Sequence, residues 1–378
     1  MLSSESHHDQ SRLTAIDGLR LLAALMVAAY HFLGTPTPHY WGRVELRDFA
    51  PFLHEISRYG WLGVEFFFLI SGFVICMSCW GRTPAQFTVS RISRLFPAYW
   101  CAVLLVVVLV LVSRLGDWPS ATRIDPRTVL GNLTMAPGPM GLATVDGVSW
   151  TLWVEARFYL LMVALLVFGL TYRRVVAFCG AWLLAGVIAL ELHSPLIDEF
   201  LLPRYTGLFV AGILLYLMHR FGQSLLLWLL LGFAWCYQLT VLDLRVADHA
   251  AVPPGEGRPS WAVCAVVLTL CLVLLVLAGT GPLSGVRWRW AVTAGALTYP
   301  FYLVHQSLGV PLAKGLIQAF PRLGPLPAMA LSVICMLGLS VLVHILVERR
   351  LGRRLRQRLT LDMRSREHAA KPALTRAR

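Results

Sequence analysis

The sequence predicts an all-α polytopic integral membrane bundle of about ten transmembrane helices, with the N- and C-termini in the cytoplasm. Three observations predict it. Of 378 residues, 57% are hydrophobic and 14% charged, where a soluble domain runs near 45–50% apolar and about 25% charged. Mean hydropathy is +0.66. The apolar residues fall in ten stretches near the length of about 20 residues that a spanning helix needs: 15–34, 60–80, 96–114, 148–170, 174–192, 204–219, 223–242, 260–279, 290–312 and 327–347. Some are continuous, as in CAVLLVVVLVLV at 101–112. Those at 204–219 and 290–312 are interrupted by Gly or Pro.

The same numbers exclude other classes. A disordered chain carries far less apolar surface. The net charge of +13 is not a nucleic-acid signal, because residues 349–378 alone hold eleven Lys/Arg against Asp362 and Glu367. With the N-terminus inside, the cytoplasmic segments carry Arg12, Arg82, Arg91, Arg94, Arg173, Arg174, Arg220, Arg287, Arg289 and that tail, 20 of the 33 Lys/Arg. An even number of spans returns the tail to the same side. The expected organisation is a cytoplasmic segment at 1–14, a transmembrane domain at 15–347 and a basic cytoplasmic tail at 348–378, with no signal peptide.

Eight scattered cysteines fall almost wholly in the apolar stretches. Cys76 and Cys79 form C-x-x-C at the end of a span, where small packable residues are expected rather than a redox pair. Asn132-Leu133-Thr134 is a glycosylation triplet on an outer loop, of consequence only in a eukaryotic secretory pathway.

Ionisable groups in hydrocarbon cost about 2.5–3.5 kcal/mol each on insertion scales, so a helix that keeps them usually faces them inward. In helix order they are Asp17, Arg20, His31, Glu65, Glu155, Arg157, His305 and His344, with Arg204 and Glu348 near helix ends. In the first span Arg20 and His31 stand eleven residues apart, three turns plus about 20°, and so share a face. They are separated by roughly 16 Å along the axis. An anion at the rim and an imidazole deeper in would suit one inward stripe. Snorkelling of Arg20 and a capping role for His31 are the structural alternatives. The second span carries Glu65 near its outer end, and its Ser71-Gly72 allows close helix approach. Arg91 and Arg94, at i and i+3, form a guanidinium fork suited to phosphates, either of a ligand or of lipid headgroups. The fourth span opens at Trp150 and sets Glu155 and Tyr159 on one face. The ninth holds Pro300, which should kink it, and places Tyr302 and His305 on a shared face. His344, deep in the last span, reads as a structural partner.

In this order the strings resemble the membrane-bound acyltransferase type 3 family. The matching residues are Asp17-Gly18-Leu19-Arg20 with ten residues before His31, then Gly63-Val64-Glu65 with Phe67-Phe68 and Ser71-Gly72-Phe73. Arg91-x-x-Arg94, Trp150-x-Leu152-x-x-Glu155-x-x-Phe158-Tyr159, Tyr302-Leu303-x-His305 and Glu348 follow. Leu21 stands where the family usually has Gly, and Arg349-Arg350 where it usually has Pro near the final Glu. The likeness spans about residues 14–350. It implies an O-acyltransferase of the bacterial inner membrane. The donor would be acyl-CoA, mostly acetyl-CoA, bound as substrate with no resident cofactor. The acceptor would be a hydroxyl of a glycan, lipid-linked sugar or glycosylated small molecule. Arg20, Arg91 and Arg94 would bind the CoA phosphates. His31 would be the general base, with Glu155 or Glu65 orienting its ring. Asp17, Ser71, Trp150, Tyr159, Tyr302 and His305 are substrate-pocket candidates. Direct transfer and an acyl-enzyme relay both stay open. No metal is implied, since the three intramembrane histidines lack ligand spacing.

The rival expectation is a secondary transporter, whose internal His, Arg and Glu would couple protons. Transporters usually show paired broken helices in two related halves, and no motif here occurs twice. A catalytically dead scaffold is the third.

Overall fold

The computed structural model describes residues 13–35, 41, 50–112, 125–249, 257–285 and 288–362. The expected segment at 1–14, apart from its last two residues, and the tail beyond 362 lie outside them. Among the described residues the fold is helices joined by short loops and turns. Among the described residues, nine helices are long and apolar enough to cross a membrane.

The first helix, α1 (Thr14–Ala29), continues into a π-helical turn at Tyr30–Gly34. A short α2 (Pro51–Ser57) precedes α3 (Leu62–Cys79) and α4 (Pro84–Val112). Next come α5 (Pro126–Leu133), α6 (Ser149–Val167), α7 (Tyr172–Leu192), α8 (Pro195–Leu201) and α9 (Thr206–Phe221). Among the described residues four helix starts are capped by side chains that accept from the first-turn backbone: Thr83 on α4, Asp125 on α5, Thr171 on α7, and Ser224 on α10 (Leu225–Asp248). The chain closes with α11 (Trp261–Gly279), α12 (Arg289–Val304), α13 (Val310–Ala319) and α14 (Pro325–Leu342).

At the centre stands α9. Every residue from Thr206 to Met218 is buried, as a helix apolar on all sides requires. It packs chiefly on α3, and α1 packs on α12 and α3. Glycine makes the α3–α9 crossing feasible. A Cβ at Gly72 would overlap the Phe209 carbonyl, and one at Gly212 the Leu69 carbonyl, so the two backbones touch where no larger residue fits. The outer helices show the reverse pattern. Leu104, Val108 and Leu111 of α4 and Val266 and Leu270 of α11 are exposed, which is the apolar surface that lipid covers.

Three differences from the sequence expectation have physical causes. The stretch 290–312 is helical, but it is not among the nine lipid-grade spans. It runs as α12, a π-turn at His305–Gly309 and α13. Its Tyr, Pro, His and Gln residues lower its hydropathy, and protein rather than lipid surrounds Phe301, Tyr302, Leu303, Val304 and His305, all of which are buried. Secondly, α10 extends past the expected end at 242, so Asp243, Arg245 and Asp248 are helical rather than loop residues. Thirdly, the last helix does not stop near 347. It passes through a π-helical segment, Val343–Gly352, and stays helical to residue 362.

All eight cysteines are free thiols, and Cys76 and Cys79 are buried packing residues. Asn132 is fully buried. Its Nδ2 donates to the Thr128 and Ala143 carbonyls, each at 2.9 Å, and its Oδ1 accepts from Val145 N at 2.9 Å. It is the internal brace of the 125–148 segment and cannot accept a glycan.

Candidate functional site

Three adjoining cavities run into the bundle from the side where the last helix carries Glu348 and Arg349. The first is a vestibule of about 480 Å³ lined by Asp17, Arg20, Arg94, Tyr299, His344 and Glu348. His344 Nδ1 lies 2.6 Å from Glu348 Oε2. The expected structural partnership of His344 is therefore with a residue one turn away on the same π-helical segment.

The middle cavity, about 80 Å³, shares Arg20, Arg94 and Tyr299 with the vestibule and adds Arg91, Ser71, Thr151, Glu155, Tyr159 and Tyr302. Arg91 is buried and Arg94 is exposed, although both sit on one face of α4. The Arg91 guanidinium carbon lies 5.5 Å from the Phe87 ring centroid and 6.0 Å from that of Tyr159. Its buried Nε has no hydrogen-bond partner among the described residues. The ion pairs among those residues engage Arg58, Arg157, Arg204, Arg245 and His344, and none engages Arg20, Arg91 or Arg94. Three arginines with no direct ion pair among the described residues thus line one cavity together with a single carboxylate, Glu155, an excess of positive charge that suits an anion. Across from them Ser71 Oγ donates to Glu155 Oε1 at 2.8 Å.

The outer cavity, about 190 Å³, is lined by Tyr30, His31, Trp61, Trp150, Arg245, His249 and Tyr302 with the backbone of Gly147. It shares Val64 and Tyr302 with the middle cavity, and those two side chains form the wall between the arginines and His31. Thr151 Oγ1 holds the Tyr302 hydroxyl at 2.8 Å. His31 stands on the π-turn at Tyr30–Gly34, whose extra residue per turn re-aims side chains and is often found at functional positions. Thr35 Oγ1 donates to the Tyr30 carbonyl at 3.0 Å and steadies that turn.

His305 opens the second π-turn and is fully buried. Its Nδ1 lies 2.8 Å from the Tyr302 carbonyl. A carbonyl only accepts, so Nδ1 carries the proton and Nε2 keeps a lone pair. On the same turn Ser307 Oγ donates to Asp146, which is fully buried. Burial pushes the Asp146 carboxyl up to about 6, against the lowering effect of the Ser307 bond.

The structure brings Arg20, Arg91, Arg94, Ser71, Glu155, Tyr159 and Tyr302 together, and sets His31 and Trp150 just beyond. Asp17 lines the vestibule, one cavity away. Glu65 goes elsewhere: its Oε1 accepts from Arg245 Nε at 2.8 Å. Arg245 also donates to Asp248 Oδ2 at 2.8 Å, and Asp248 in turn pairs with Arg204 at 2.7 Å. Among the described residues neither Glu65 nor Glu155 hydrogen-bonds the His31 ring. Arg245, His249 and Trp61 are cavity residues that the sequence did not single out. Arg245 and Asp248 at i, i+3 offered the one local signal that α10 runs on as a charged helical turn.

The acyltransferase domain model matches residues 13–345. Among curated relatives, nodulation protein 10 of Rhizobium leguminosarum bv. viciae is 27% identical, covering 82% of this chain and 88% of the relative. Acyltransferase MdmB of Streptomyces mycarofaciens is 28% identical, covering 78% of each. No solved structure matches the chain. The protein belongs to the acyltransferase 3 family, and it is a membrane acyltransferase rather than a carrier or an inert scaffold.

Proposed function

We propose that this acyltransferase takes an acyl group, acetyl first, from acyl-CoA in the cytoplasm of a bacterial cell. It passes that group to a hydroxyl of a glycan, lipid-linked sugar or glycosylated small molecule. The observation that carries the reading is the row of cavities joining Arg20, Arg91 and Arg94 to His31 through a single shared wall. The basic tail marks the cytoplasmic end. CoA phosphates sit among the three arginines, and the pantetheine arm leads the thioester toward Tyr302. His31 accepts the proton of the acceptor hydroxyl. The hydroxyl oxygen bonds to the thioester carbon, the carbon–sulfur bond breaks, and the CoA thiolate leaves with the proton that the imidazole returns. The His305 ring beside His31 and the buried Arg245–Glu65 pair hold the geometry. Glu155 keeps Ser71 fixed opposite the arginines. We assign acceptor contact to Trp150 and Tyr302, and donor contact to Tyr159 in the middle cavity and Asp17 in the vestibule.

The deciding experiment is release of free CoA thiol from acetyl-CoA by the purified chain in nanodiscs, with an acceptor and with His31→Ala beside the native protein. Acceptor-dependent thiol release that is lost in the variant supports the assignment. Equal rates in both remove His31 from the reaction.

A further inference from the structure

The outer cavity contains a polar group whose hydrogen bond is missing. Trp61 is 3% exposed, lines the cavity, and its indole Nε1 is buried with no partner among the described residues. Buried indole N–H groups usually find an acceptor, and an orphaned one in a native interior calls for an explanation. Neither the helix pattern nor packing supplies it here. Trp61 precedes α3 and stacks flat on His249, with ring centroids 4.1 Å apart and planes at 12°. His249 is itself fixed, because its Nδ1 donates to the Arg245 carbonyl at 2.9 Å. The indole is therefore stacked on His249 with its donor unspent, and its ring forms part of the wall of the cavity that His31 also lines.

The electrostatics of that cavity narrow the ligand. Arg245 is its formal cation, yet Glu65 and Asp248 already occupy the guanidinium, and Arg204 balances Asp248. These four charges sum to zero. An anionic ligand would bury its charge without a counter-ion, which is costly. The remaining walls are aromatic: Tyr30, Trp61, Trp150 and Tyr302. At about 190 Å³ the cavity falls below the roughly 300–1,000 Å³ that takes whole drug-sized ligands. It suits one ring.

We infer that Trp61 is the specificity-determining contact for the acceptor: its indole N–H donates to an oxygen of an uncharged, hydroxyl-bearing ring seated against the aromatic walls, with the reacting hydroxyl toward His31. This rests on the acyl-transfer reading above and adds to it the residue and the charge of the ligand.

The test uses the full chain in nanodiscs, acetyl-CoA, and a panel of methyl pyranosides with their uronic acid counterparts and deoxy analogues. Trp61→Phe keeps a flat ring on His249 and removes only the N–H. At least one neutral pyranoside is acetylated, and its uronate is a poorer acceptor. Trp61→Phe raises the acceptor KM about tenfold, the scale of one lost hydrogen bond, with kcat within about twofold and acetyl-CoA affinity unchanged. One deoxy analogue loses about as much on the native protein and nothing further on Trp61→Phe, since both delete the same bond. If Trp61→Phe misfolds, Trp61→Tyr, which also keeps a ring on His249 and removes the indole N–H, takes its place in the same comparison. A preferred uronate, an acceptor KM unmoved by Trp61→Phe, or independent penalties in the deoxy comparison overturns the inference. So does acetyl-CoA binding with no pyranoside acetylated. Absence of acetyl-CoA binding overturns the parent reading instead, and this one with it.

Discussion

The His31 and His305 rings lie with centroids 5.4 Å apart, and both belong to π-helical turns, Tyr30–Gly34 and His305–Gly309. The two turns come from opposite ends of the sequence. Each re-aims an imidazole that a regular α-helix would carry on a different heading.

Replacing His31 by Ala is expected to lower acyl transfer by about 10²–10⁴-fold, the usual contribution of a positioned general base. Initial rates of thiol release measure it. An unchanged size-exclusion profile separates lost chemistry from lost fold, and full residual turnover would exclude His31 from proton transfer.

Arg91→Ala combined with Arg94→Ala should weaken acetyl-CoA binding by at least tenfold, since hydrogen bonds to charged groups are worth about 1.5–3 kcal/mol. Calorimetric titration with CoA and with dephospho-CoA reads the effect. An affinity equal to that of the native chain assigns these arginines to lipid headgroups.

Glu65 and Arg245 form a buried pair, with side-chain exposures of 0% and 7%. Glu65→Leu leaves the guanidinium with Asp248 alone, and should cost about 3–5 kcal/mol of stability. Glu65→Leu with Arg245→Met should recover most of that loss. Thermal unfolding of single and double variants in one detergent decides. Additive losses would mean that the two residues do not act as a pair.

Asp146 titrates near 6 when folded, above its unfolded value of 3.8. Its contribution to stability is therefore fully present below pH 3.8 and is lost as pH rises through about 6. Asp146→Asn removes the titration while keeping an oxygen for Ser307. The melting temperature of the native chain should fall between pH 5 and 7 relative to the variant, and parallel curves would contradict the burial argument.

A reporter active only in the cytoplasm, fused after Arg378, should give signal in whole cells. Signal from a periplasm-dependent reporter at the same position would invert the assigned orientation.

Much of this architecture could be read in advance because the bilayer imposes one-dimensional rules. Span length and the eleven-residue step from Arg20 to His31 are local properties, whereas the grouping of Arg20 with Arg91 and Arg94 was an implication of the family resemblance. The Glu65–Arg245 pair was not legible, since its members are 180 residues apart in sequence and meet only through the fold. Hydropathy drops at Asp243, which hid the continuation of α10 that carries Arg245. Trp61 was not singled out, because an unsatisfied N–H is a property of surroundings and not of composition. The weak hydropathy of 290–312 had the opposite cause: that stretch answers to protein neighbours rather than to acyl chains.

The wall formed by Tyr302 and Val64 has a consequence for the cell as well as for the reaction. An unbroken file of water through this bundle would short-circuit the proton gradient across the membrane. A tyrosine latched to Thr151 interrupts that file. Under the transfer scheme proposed above, only the few atoms of the acyl unit need pass the latch while the bulky nucleotide stays behind. The same side chain would then keep the membrane tight and limit the length of acyl chain that the protein accepts.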